Sequence, residues 1–312
     1  MDFISLLNTI ATLFILIVAG YIAGKLNVID EVASKKLSNL IIKIAQPFLL
    51  ISSLLGMETS KENLILGGQA FAAGMIIHSL MAVIAFVVCI KFKNVNERKL
   101  SEFAMVFANV GFIGFPIVEA LYGAKGLFMG AFYVLSFNIM LWTWGIAILA
   151  RKRTDIKLTV KKIFVNYGTV PSVIGFIIYA FDLELPVFIQ SGCSYLAALC
   201  TPISVMITGA LLSRRTLSQI FLMPKIYYIS FIRLIVIPLI MCVVAKLIGM
   251  NSEWILFITA VTALPCASTI SMLAEIHDIS PGYAAQAVGT SSLLSILTMP
   301  CVLLIAQQIV NL

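Results

Sequence analysis

The chain has 312 residues, of which 61% are hydrophobic and 11% charged, with a formal net charge of +7. A water-soluble protein of this length cannot keep so apolar a surface hydrated, which excludes a soluble fold. The positive charge is accounted for by loop topology, as the loops below show, so it is no sign of nucleic-acid binding.

A membrane-spanning helix needs roughly 20 apolar residues. Ten stretches qualify: 5–25, 34–55, 65–91, 99–121, 126–150, 163–181, 187–212, 224–249, 253–275 and 283–309. The expected fold class is therefore an all-α polytopic membrane protein. Met1-Asp2-Phe3-Ile4 carries no basic region and its apolar run is long enough to span, so it reads as a first helix and not as a cleaved signal. Span 2 holds Lys43 about a third of the way along, then Gln46-Pro47, with Ser52 and Ser53 after it. Span 3 has His78 near its middle. Span 4 reads Phe107-Ala-Asn109-Val-Gly111-Phe-Ile-Gly114-Phe-Pro116, with Glu119 near its outer end, and span 5 carries Ser136, Asn138, Trp142 and Trp144. A basic linker, 151–163, leads to the second half. There span 7 holds Pro202, span 8 holds Arg233, and span 9 reads Thr259-Ala-Val-Thr262-Ala-Leu-Pro265-Cys-Ala-Ser268-Thr269. Glu275, His277 and Asp278 fall in the short turn after span 9, where a metal site is not expected. Span 10 contributes Thr290, Ser291, Ser292 and Ser295. All six cysteines (Cys89, Cys193, Cys200, Cys242, Cys266, Cys301) sit in apolar runs without CxxC spacing, and read as small hydrophobes.

Lys and Arg in the loops set orientation. One side holds Lys25, Lys35, Lys36, Lys91, Lys93, Arg98, Lys99, Arg151, Lys152, Arg153, Lys157, Lys161, Lys162, Arg214, Arg215 and Lys225; the other holds only Lys61, Lys125 and Lys246. The basic side is expected to be cytoplasmic, with both termini extracytoplasmic. Five spans per half is an odd number, so the halves, 1–150 and 164–312, are expected to lie in opposite orientations. Val18-Ala-Gly20-Tyr21-Ile recurs as Val173-Ile-Gly175-Phe176-Ile, and Pro47 recurs as Pro202, both at an offset of 155. Pro116 recurs as Pro265.

Proline removes a backbone donor and clashes with the preceding turn, so spans 4 and 9 are expected to break or kink. Broken backbone at membrane depth is tolerated only where protein buries it or it lines a wet cavity. A matched pair of interrupted helices is the sequence pointer to a transporter's binding site. Half-helices that begin after the breaks direct free N–H groups and a positive dipole end inward, which suits an anion without a fixed positive charge. Candidate contacts are Asn109, Gly111, Gly114, Pro116, Asn138, Pro265, Ser268, Thr269 and Ser53. His78 is a candidate proton carrier, or a neutral ring bonded between helices. For Arg233 two readings stay open: it attracts an anion, or with Lys43 it snorkels to the cytoplasmic headgroups, which their position favours. No acidic pair lies deep in a span, which disfavours a carboxylate-built proton relay or Na⁺ site; carbonyls and hydroxyls remain possible Na⁺ ligands. No cofactor or metal is expected.

The motifs Asn109-x-Gly111-x-x-Gly114-x-Pro116, Gln46-Pro47, and Thr290-Ser291-Ser292-Leu-Leu-Ser295-Ile-Leu-Thr298-Met-Pro300 together resemble the auxin efflux carrier family. That family includes the plant PIN-type auxin carriers and bacterial proteins labelled malate or malonate permeases. The resemblance runs over all ten spans. It implies a 5+5 inverted repeat similar to that of bile-acid sodium symporters, with helices 4 and 9 crossed. It further implies a scaffold of spans 1, 2, 6 and 7, a transport domain of spans 3–5 and 8–10, homodimers, and elevator-like motion. In plant members an asparagine seven residues before the crossover proline contacts substrate, a spacing that Asn109 matches. The chain departs from those carriers in lacking their large central cytoplasmic loop, as short bacterial-type members do.

The expected function is secondary transport of small organic anions such as mono- or dicarboxylates (malate, malonate or auxin-like acids) across the cell membrane. The alternatives are a Na⁺-coupled symporter of bile-acid-symporter type, and a non-transporting ligand or lipid sensor on the same fold. No nucleophile–base pair, metal motif or nucleotide loop suggests an enzyme.

Overall fold

The computed structural model describes residues 3–55, 58–151, 165–214 and 223–311. Most of the linker expected at 151–163, and Arg215 with it, lies outside them. Among the described residues the protein is built from helices: α1 (Phe3–Lys25), α2 (Glu31–Leu40), α3 (Gln46–Ser52), α4 (Lys61–Cys89), α5 (Val95–Val106), α6 (Phe115–Met140), α7 (Ile146–Ala150), α8 (Thr169–Ala180), α9 (Val187–Ala198), α10 (Cys200–Ser213), α11 (Pro224–Phe231), α12 (Ile237–Leu247), α13 (Ser252–Ala263), α14 (Thr269–His277) and α15 (Pro281–Asn311). Five helical runs among the described residues are long and apolar enough to cross a membrane.

Several helices begin a few residues before the apolar stretch that they carry. The cause is capping. Asp30, Ser60, Asn94 and Asn251 accept from the backbone N–H of Ala33, Asn63, Glu97 and Trp254 respectively, so polar residues extend each first turn. As a result Lys99 and Glu102, near the start of span 4, are buried in α5. The Lys99 ammonium donates to Leu149 O at the end of α7, and Glu102 lies between Arg98 and Arg151. Spans 4 and 5 are separated by a turn at Gly123 inside α6, whose φ of 60° is one that glycine adopts without strain.

Three prolines share one local device. Five-residue π-turns, Ile41–Ala45, Val110–Gly114 and Ile232–Val236, each end two residues before a proline: Pro47, Pro116 and Pro238. A proline cannot donate, and its ring collides with the carbonyl four residues back. The wider π-turn gives that carbonyl room, so the chain stays helical through the proline. In span 4 the carbonyl four residues before Pro116 is Phe112 O, and it accepts instead from the hydroxyl of Thr201 in α10, at 2.9 Å. The expectation that Pro116 itself breaks span 4 is thereby corrected. The unwound residues are Phe107–Asn109, at the other end of the π-turn, and Pro116 sits in the first turn of α6. Span 9 does unwind at its proline, over residues 264–267.

Glycines set the closest helix contacts. A Cβ on Gly20 of α1 would lie 2.1 Å from Met206 O of α10, and one on Gly209 of α10 would lie 2.0 Å from Ile17 O of α1. Gly175 of α8 packs on α3, where a Cβ would be 3.1 Å from Ile51 Cα. The outer faces of α1, α4, α8 and α12 expose Ile15, Ile22, Ile76, Val83, Val87, Ile174, Ile177 and Val243, surfaces suited to lipid and not to water.

Candidate crossing site

The two interruptions meet. Asn109 N–H donates to Pro265 O at 2.9 Å and Ala267 N–H donates to Phe107 O at 2.8 Å, which pairs Ala108 with Cys266 in an isolated antiparallel bridge. Buried N–H and C=O groups require partners, and each interruption supplies those that the other has lost. Ser291 of α15 adds to this by accepting from Cys266 N–H at 3.2 Å. The hydroxyl-rich stretch of span 10 thus has one definite task at the break, while Ser292 and Ser295 line a separate cleft against α1.

Side chains reinforce the bridge. The Asn109 amide donates to Ser268 Oγ at 2.8 Å, and both residues are buried. Thr208 of α10 approaches the same Ser268 oxygen at 3.4 Å. Asn109 O accepts from Ile113 and Gly114 N–H, which starts the π-turn. Gly114 lies directly against the opposite interruption, since a Cβ there would be 2.7 Å from Leu264 Cδ1.

A narrow cavity opens beside the bridge, lined by Gln46, Leu49 and Leu50 from the span 2 helix, Ala108, Asn109, Gly111 and Phe112 from span 4, Val134 and Phe137 from α6, and Ala267 and Thr269 from span 9. The starts of both second half-helices therefore share one wall, where free N–H groups and positive dipole ends concentrate. A Cβ on Gly111 would meet nothing within 4 Å, so this glycine leaves space in the cavity. Gln46 Nε2 donates to Asn138 Oδ1 at 3.4 Å, and Asn138 Nδ2 donates to Val134 O at 3.0 Å. The cavity measures about 10 Å³, the space of a single water. An organic acid enters only if the helices part.

Asn109, Gly111 and Thr269 are thus brought to one wall, with Ser268, Gly114 and Pro265 directly behind it, and Asn138 reaches it through Gln46. Pro116 stands a turn away in α6. Ser53 is not brought there: it caps the end of α3 and its hydroxyl donates to Leu50 O at 3.0 Å. Gln46, Thr201 and Thr208 were not among the residues expected from the sequence. Gln46 stood out as part of the Gln46-Pro47 motif, not as a residue of the site. The two threonines carried no local signal, because their roles arise from carbonyls and hydroxyls of other spans.

His78 is fully buried among the rings of Phe107, Tyr133 and Phe137. Its Nδ1 is 2.7 Å from Gly74 O, which can only accept, so Nδ1 carries the proton and donates, and in the neutral ring Nε2 is an acceptor. Arg233 does not snorkel. It is 1% exposed, and its Nη1 donates to Met105 O at 2.6 Å. Met105 lies in the last turn of α5, so the guanidinium caps one carbonyl left open by the interruption. Lys43, by contrast, is exposed. Glu275 lies 3.6 Å from Arg214. Cys266, one of five buried cysteines, forms part of the bridge itself.

Comparison with known proteins identifies the family. The family described as "Membrane transport protein" matches residues 5–303. A protein of Methanocaldococcus jannaschii called an uncharacterized transporter is 23% identical over 303 residues, covering 94% of this chain and 96% of that one. Another of that description, from Methanothermobacter thermautotrophicus, is 21% identical, covering 96% and 98%. The match over nearly the whole length, with the apolar helices, makes the chain a multi-pass membrane transporter that belongs to the Membrane transport protein family, the auxin efflux carriers.

Proposed function

We propose that this transporter carries small organic anions, mono- or dicarboxylates, and binds them at the meeting of the two interrupted helices. The carrying observation is the Ala108–Cys266 bridge, which brings Asn109 and the starts of two half-helices to one cavity wall. N–H groups and dipole ends at that wall suit a carboxylate, and Asn109 offers a neutral donor to orient it.

The reading includes ten spans in a 5+5 inverted repeat with both termini extracytoplasmic in the cell membrane. In support, the related glycines of the two halves do related work: Gly20 seats span 1 on span 7, and Gly175 seats span 6 on span 2. Spans 1, 2, 6 and 7 form the scaffold and spans 3–5 and 8–10 the moving body, paired as a homodimer. The cavity lies between α3 of the scaffold and the moving body, where sliding would open it to either side. Its present size suits an occluded stage of that cycle.

A thermal-shift screen of the purified protein against organic acids, at several pH values and with and without Na⁺, tests this reading. Stabilisation by one class of carboxylate without Na⁺ is the expected result. Stabilisation that requires Na⁺ would favour a coupled symporter, and ligand-dependent shifts without flux in proteoliposomes would favour a sensor.

A further inference from the structure

Beside the bridge, at Cys266, lies a second small cavity, lined by Ala104, Met105, Ser230, Arg233, Cys266 and Ser291 with two further apolar residues. All of them belong to spans 4, 8, 9 and 10. Arg233 brings a full positive charge to this wall while 1% exposed. One of its N–H groups is used on Met105 O, and Met81 Sδ lies 3.7 Å from the same nitrogen. Its Nε and Nη2 have no acceptor among the described residues. None of the ion pairs among the described residues includes it. The end of α5 offers only about half an elementary negative charge. A buried guanidinium in that position is undercompensated both in charge and in hydrogen bonds.

We propose that a small inorganic anion of halide size binds in this cavity, held by Nε and Nη2 of Arg233 and by the hydroxyl of Ser230. The cavity's volume of about 10 Å³ leaves room for a near-monatomic occupant only, and because its whole lining belongs to the proposed moving body, sliding against the scaffold would not widen it for an organic carboxylate. Ser291 is committed to the bridge, since it accepts from Cys266 N–H and donates to Val288 O. An anion here would complete the charge balance that lets Arg233 hold the end of α5. It would therefore act as a structural ligand of the crossing, separate from the transported anion, and does not depend on what that substrate is.

The test is the apparent melting temperature of the full-length protein in detergent, titrated with chloride or bromide against gluconate at constant ionic strength. A saturable rise of about 2–4 °C is expected with either halide. Ser230→Ala should raise the half-saturating concentration several-fold, Arg233→Met should abolish the rise, and Asn109→Ala should leave it in place. Identical melting in chloride and gluconate would overturn the proposal. So would a halide effect lost in Asn109→Ala, which would place the anion at the other cavity, or one undiminished in Ser230→Ala. If Arg233→Met does not fold, the Ser230 and Asn109 variants decide.

Discussion

Asn109 and Ser268, 159 positions apart in the chain, are joined by a 2.8 Å hydrogen bond between their buried side chains. Asn109 is the last unwound residue of span 4 and Ser268 follows those of span 9, and the bond lies next to the backbone bridge of Ala108 and Cys266. The pair fixes the spacing of the two half-helix starts, and with it the shape of the cavity that we assign to the substrate.

The glycines of the π-turn should separate binding from folding. Gly111→Ala adds a methyl to open cavity space, so its melting temperature should be nearly unchanged while ligand-induced stabilisation falls. Gly114→Ala drives a Cβ to 2.7 Å from Leu264 Cδ1 in a fully packed region, and overpacking of this kind costs about 1–3 kcal/mol. Thermal melting with and without ligand checks both.

Thr201→Val should destabilise the protein by about 1–2 kcal/mol, because Phe112 O loses its hydroxyl donor. In a Pro116→Ala background the helix regains an N–H for that carbonyl, so the same change should cost less. A double-mutant cycle on melting measures the coupling, and additivity of the two changes would show that the hydroxyl does not compensate for the proline.

How much of this was legible in the chain depends on the range of the interaction. The helices could be read because apolar length and loop charge are local properties. The paired interruptions could be read because proline and glycine act on their own backbone. The position of the break in span 4 could not: it lies at Phe107–Asn109, its near end seven residues before the proline, since a π-turn absorbs Pro116 and the bridge to Cys266 draws the chain out of helix. Of the two readings of Arg233, the favoured one, snorkelling, fails for a similar reason. Depth along a span favours snorkelling, but the acceptor that holds the side chain inside is a carbonyl of another helix. Thr201 and Thr208 act on other spans too, so their neighbours in sequence said nothing about them.

Ser291→Ala should cost about 1–3 kcal/mol, because it leaves the N–H of Cys266 without its side-chain acceptor inside the protein. Ser295→Ala, whose hydroxyl donates to Ser292 O within its own helix, should cost less. Melting of the two variants side by side distinguishes a hydroxyl that holds the interruption from one that only decorates a helix.

Among the ion pairs of the described residues, Arg214–Glu275 is the one that joins the proposed scaffold to the proposed moving body, at the ends of α10 and α14. Cysteines placed at 214 and 275 in a background free of native cysteines, then bridged by a short cross-linker, should stop transport reversibly. A cross-linked protein that transports at the uncrosslinked rate would show that these two helices do not move apart.

The claim that the crossing is the binding site is tested most directly by Asn109→Ala in proteoliposomes, measured against a panel of radiolabelled mono- and dicarboxylates. Loss of a hydrogen bond to a charged ligand is worth about 1.5–3 kcal/mol, so uptake at subsaturating substrate should fall about tenfold or more in protein that still melts cooperatively. Wild-type uptake of a carboxylate that persists undiminished in the Asn109→Ala variant would contradict the account.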